Sequence, residues 1–128
     1  MIRGFVESHD ADIHKSKVAE IADIPGGPLV IFRVDGEAVR EMSAEAVDFV
    51  EGGHWLVYDF IPRGEIWIER LRSSEDEMFI LIHEFTEVLA MLGLRLDYDR
   101  AHGDIANPFE SVCRRYAELS ESSEVSRD

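Results

Sequence analysis

A chain of 128 residues, 45% of them apolar, is the size of one ordinary domain built on one hydrophobic core. Its single cysteine, Cys113, excludes an internal disulfide framework and a thiolate cluster for zinc or iron–sulfur, and the expectation is a cytoplasmic protein with an inert thiol. A net charge of −14, with Lys15 and Lys17 the only lysines, argues against nucleic acid or anionic lipid as partners.

The opening MIRGFVESHD lacks the apolar region of an export signal, and no apolar run reaches the ~18 residues of a membrane span, so no membrane partner is expected. Ile2 to Glu7 alternates loosely and reads as a strand. Ser8 to His14, SHDADIH, has a metal-like composition, but its short polar character fits a turn and a helix cap. Leu29 to Val34 is a β-branched strand entered through the breaker Pro25-Gly26-Gly27-Pro28. Asp35-Gly36 tolerates the positive φ angles of a tight turn and predicts a hairpin into Glu37 to Arg40. Ser43 is placed to cap a helical stretch, Ala44 to Val50, that Gly52-Gly53 ends, with His54 in a tight turn entering the next strand. His54 to Ile61 and Glu65 to Glu69 then read as two strands separated by Pro62-Arg63-Gly64. Trp55, Tyr58, Phe60 and Trp67 sit at strand spacing as core or cleft wall, with Trp67 expected to be partly exposed. The first half therefore predicts a small antiparallel sheet.

The period changes in the second half. Ser74 followed by Glu77 has the form of a capping box and opens a helix over about 74–92 that Gly93 stops. Met78, Leu81, Ile82, Phe85, Val88, Leu89 and Leu92 share one helical face, which would pack on the sheet. The opposite face carries Phe79, Ile80, Ala90 and Met91 with His83 and Glu87 among them, and calls for a cover from a C-terminal helix over about 98–119. The polar, acidic residues 120–128, SESSEVSRD, predict a disordered tail. The expected architecture is α+β, a single domain over 1–119.

A carboxylate buried in an apolar face needs a counter-charge or a proton. His83 lies one helical turn from Glu87, and the pair projects from one face at the separation a divalent cation can bridge, with Glu84 leaning toward the same opening. The next element offers a third group from Asp99, His102 or Glu110.

His83-Glu84-Phe85-Thr86-Glu87 resembles the zincin active-site helix, whose HExxH motif supplies two histidine ligands and a glutamate base; here Glu87 stands where the second histidine would be. The wider run IPRGEIWIE, IHEFTEVLAMLG and YDRAH, over about residues 53–110, is similar to small prokaryotic and phage proteins of zincin-like type. The resemblance implies one divalent metal ion, zinc first and manganese or iron as alternatives, held by His83, Glu87 and His102, with Asp99 and Glu110 as alternative ligands. It implies that Glu84 is the general base and that GEIWIE is an edge strand that pairs with an extended peptide, with Glu65 and Trp67 lining the cleft. Pro108 is expected to break the helix after His102 and turn Glu110 away. The leading function is a minimal metal-dependent hydrolase acting on a peptide or protein. The alternative is a non-enzymatic acidic interaction protein, a phage or mobile-element accessory, that keeps His83 and Glu87 as a metal-free buried pair.

Overall fold

The computed structural model describes residues 10–71 and 73–127; the strand expected at Ile2 to Glu7 lies outside them. The fold is α+β, and the chain divides into two compact units, residues 1–77 and 78–128.

The first unit is built on a four-stranded sheet in the order β1-β2-β4-β3, where β1 is Ser16–Ile24, β2 Gly27–Val34, β3 Gly52–His54 and β4 Glu65–Glu69. Pro25 and Gly26 join β1 to β2; Gly26 has φ +101°, the left-handed conformation that the second central position of such a turn requires. The expected hairpin at Asp35-Gly36 does not form. The Asp35 carboxylate accepts from the Ala38 N–H and caps a helix, α1, Gly36–Met42. Glycine is needed at its first position because a Cβ there would run into the Glu69 carboxylate. This helix carries the chain across rather than back, so β4 returns parallel to β2, while β1–β2 and β3–β4 are antiparallel. The sheet is therefore mixed, not purely antiparallel. A short 3₁₀ turn, Ala44–Ala46, replaces the longer helix expected after Ser43, whose side chain makes no capping bond.

Two further corrections concern the aromatic segment. Residues 55–61 form turns instead of a strand, with the Val57 and Tyr58 N–H groups both donating to the His54 carbonyl. Phe49 is the centre of the resulting packing: its ring lies edge-on to Tyr58, Phe60 and Trp67 at 5.9, 6.3 and 6.4 Å. Ile13, Val34, Val39, Ala46, Phe49, Ile61 and Trp67 form the core, each large side chain contributing about 1.5–3 kcal/mol by burial. Strand β4 is interior, between β2 and β3, and Trp67 is 1% exposed. The edge-strand role for GEIWIE and the cleft-wall role for Trp67 are thus overturned. Ile66, Trp67 and Ile68 are buried in succession, which is the pattern of a strand covered on both faces. Glu65 accepts from the Trp67 indole N–H at 2.9 Å and pairs with Lys15 at 2.6 Å, so it belongs to this packing too.

Helix α2, Ser74–Gly93, starts on Ser73, whose hydroxyl accepts from the Asp76 N–H; Ser73 rather than Ser74 is the cap. Glu77 instead takes a forked hydrogen bond from Arg33 at 2.7 and 3.1 Å. The second unit continues from α2 through a tight turn in which Arg95 adopts φ 57°, then α3, Tyr98–Arg100, a π-helical stretch, Ala101–Ala106, and α4, Asn107–Arg127. Asp97 caps α3 by accepting from the Arg100 N–H. The last helix runs past the boundary expected at 119. On α2 the more covered face is the one with the ionisable groups: Phe79, Ile80, His83, Glu87 and Ala90 are buried, together with Glu84 and Val88, whereas Met78, Leu89 and Leu92 of the opposite face are exposed. Both faces are apolar, so periodicity does not decide between them. Among the described residues no helix is long and apolar enough to cross a membrane.

Candidate metal centre

Helix α2 places His83 and Glu87 one turn apart on its buried face, and the π-helical stretch brings His102 against them. His83 Nε2 lies 3.2 Å from Glu87 Oε2, His102 Nδ1 lies 2.9 Å from the same oxygen, and the two ring nitrogens are 3.1 Å apart. Three donor atoms thus form a nearly equilateral triangle. For an ion about 2.0–2.1 Å from each of three nitrogen or oxygen ligands, tetrahedral geometry sets the ligand–ligand spacing near 3.3 Å, close to what is found. The cluster can hold a metal ion. The His83, Glu87 and Glu84 side chains are nearly sealed, while that of His102 is 38% exposed.

Glu84 is also buried, with Oε2 3.8 Å from His83 Nε2, beside the donor triangle without being part of it. Of the alternative ligands, Asp99 is exposed on α3 and stands outside the cluster. Glu110 is not turned away. Its Oε1 lies 3.0 Å from the other nitrogen of His83, Nδ1, although off the N–H direction. The reason is the π turn: the Asn107 N–H reaches back five residues to the His102 carbonyl. That wider turn takes up the proline, which brings no N–H to the ladder, and the chain stays helical through Pro108. With roughly four residues per turn across this stretch, His102 and Glu110 fall two turns apart on one face.

Electrostatics reinforce the geometry. Burial alone would lower the pKa of His83, but the Glu87 hydrogen bond and the charges of Glu84, Glu87 and Glu110 outweigh it and hold the imidazole above its usual value. The same carboxylates that favour a proton on His83 would favour a cation there. Three carboxylates around one histidine are also a setting that a divalent charge offsets.

Sequence reasoning did not single out two groups at this site. Tyr98 places its hydroxyl 3.4 Å from His102 Nδ1 with the rings 5.2 Å apart; the i, i+4 spacing of the two residues was a signal. Arg114 donates to Glu110 Oε2 at 2.7 Å, again at i, i+4, and its guanidinium lies 4.5 Å over the Phe79 ring. Comparison with family models, with curated proteins and with solved structures gives no match.

Proposed function

We propose that this protein is a metal-dependent hydrolase of zincin-like chemistry, with an amide bond as the group cleaved. The observation that carries the reading is the convergence of His83 Nε2, His102 Nδ1 and Glu87 Oε2 within 3.2 Å of one another. Two histidines and one carboxylate are a ligand set that catalytic zinc uses and that iron also accepts; zinc is the first assignment, with manganese and iron as alternatives. A divalent ion in such a site polarises a carbonyl and makes water acidic. Glu84 is the base in this scheme: buried and beside the triangle, it takes the proton of an attacking water and delivers it to the departing amine. Glu87 and His102 keep their lone pairs directed inward, and the exposed side of His102 is the route for substrate.

The test is elemental analysis of untagged protein together with a melt in chelator. Bound zinc, manganese or iron near one per chain, retained in Glu84→Gln and lost in Glu87→Ala and His102→Ala, is the expected outcome. Hydrolysis of a peptide library should vanish in Glu84→Gln alone among metal-retaining variants. Equal metal loss in both glutamate variants would overturn the division of roles between them.

One observation favours a second reading. Leu94, Phe109, Val112, Tyr116 and Leu119 are all exposed in the second unit, as in an interaction protein that keeps His83 and Glu87 as a buried ion pair. Absence of metal with an unchanged melt in chelator would leave that reading standing alone.

A further inference from the structure

The two nitrogens of the His83 ring have different surroundings. Nε2 faces Glu87 and His102. Nδ1 is buried without an aligned hydrogen bond, and the carboxylate oxygen Oε1 of Glu110 stands 3.0 Å from it. Glu110 is itself held: its second oxygen accepts from Arg114 Nε at 2.7 Å, and Arg114 is braced over Phe79. Arg114, Glu110 and His83 therefore form a line of contacts from α4 into α2.

A neutral imidazole has one N–H and one lone pair. To present a lone pair at Nε2, His83 must carry its proton on Nδ1, which is the less favoured tautomer of a histidine side chain free in water. The Glu87 carboxylate, 3.2 Å from Nε2, competes for a proton there, and an acceptor at Nδ1 is what draws the proton to the other nitrogen. We infer that Glu110, anchored by Arg114, is a positioning residue for His83: it keeps the proton on Nδ1 and aims the Nε2 lone pair at the point where Glu87 and His102 converge. The role requires the Nδ1–H to turn toward Oε1 across this 3.0 Å contact. The inference deepens the metal reading and rests on it for its purpose, since a lone pair aimed at Glu87 and His102 serves a cation between them.

Nitrogen-15 NMR of the imidazoles in the metal-free protein, at alkaline pH, reads the tautomer directly. Wild-type His83 should show a protonated Nδ1 and a bare Nε2. Glu110→Ala should move it toward the Nε2–H form, while Glu110→Gln, whose amide oxygen can still accept, should keep most of the Nδ1–H form. Zinc competition should show a loss of roughly 10- to 100-fold in affinity for Glu110→Ala, and less for Glu110→Gln. An Nε2–H tautomer in the wild type, or the same tautomer in wild type and Glu110→Ala, overturns the inference. Wild type that shows the Nδ1–H form, loses it in Glu110→Ala and yet takes up no zinc supports the positioning role and removes the metal reading alone. Should Glu110→Ala fail to fold, the wild-type tautomer and Arg114→Gln, which frees the Glu110 carboxylate, decide the matter.

Discussion

The two units distribute polarity in opposite ways. The first buries Ile, Val, Phe and Trp in one cluster and gives its ion-paired carboxylates each a cation: Lys15 holds Glu65 at 2.6 Å, Arg40 forks onto Glu69 at 3.0 and 2.9 Å, and Arg33 forks onto Glu77. The second buries His83, Glu84 and Glu87 while Leu94, Val112 and Tyr116 are 64%, 64% and 73% exposed. Folding energetics alone explain the first arrangement and oppose the second, because burying charge is costly and exposing apolar surface forgoes its main driving force. The aromatic core is thus in one unit, and the buried histidine–carboxylate cluster that could hold a metal ion is in the other.

The sharpest way to break that comparison is to remove the centre of the first core. Phe49→Ala should cost about 3–5 kcal/mol in denaturant unfolding, without changing metal affinity; a loss below 1 kcal/mol would mean that the aromatic cluster is not the source of stability. Metal removal comes next and acts through the second unit: chelation should lower stability by about 2.7 kcal/mol relative to metal at a hundredfold excess over Kd, read as a melting shift. Arg40→Met should cost about 1.5–3 kcal/mol, since it strips Glu69 of its fork and the Phe49 carbonyl of a donor. Glu69 is held below the usual carboxylate range, chiefly by Arg40, so its contribution is present above about pH 4.5 and lost as pH falls through the depressed value; Arg40→Met should flatten that acid limb.

A smaller effect separates the units by pH. The raised His83 contributes stability that is fully present below its ordinary value of 6.5 and disappears as pH rises through the folded value, with a slope of at most about 1.4 kcal/mol per pH unit. Metal-free protein should therefore weaken on going alkaline, and metal-loaded protein should do the opposite, because ligand binding displaces that proton. Parallel slopes in the two forms would sink the assignment of His83 as a ligand. The smallest expected effect is Tyr116→Ser, within about 0.5 kcal/mol; a much larger loss would show that this exposed stripe is covered in solution.

Much of this was legible in the sequence where one signal acted alone. Strand Glu65–Glu69 lies where its β-branched run is bounded by Gly64, and the helix beginning at Ser74 ends on Gly93. His83, Glu87 and His102 were legible because ionisable groups in an apolar face require each other. The misreadings came where two mechanisms compete for one pattern. Asp-Gly serves a turn, but aspartate also caps helices and glycine also permits close packing, and both of these prevailed at 35–36. Strand β1 was missed because SKVAEIADI mixes charge with apolar residues, and its register shifts at two points along β2. Glu110 was misplaced because the proline rule assumes an α-helical ladder, and the π turn at 101–106 is invisible to that rule.

That π turn also makes the spacing between His102 and Pro108 a matter of counting. It holds one residue more than an α-helical turn, so deleting one residue at Gly103 or Asp104 would let the segment relax to an ordinary helix in which His102 and Glu110 stand seven positions, about two turns, apart and still share a face. A residue inserted there has no such release: it would turn Glu110 and Arg114 by about 100° relative to His102, although every side chain of the donor triangle would still be present. The centre is therefore sensitive to length as well as to composition: the π turn has already taken up its one spare residue, and one more would act as a frame error in space, dismantling the support of the site while every ligand stays spelled in the chain.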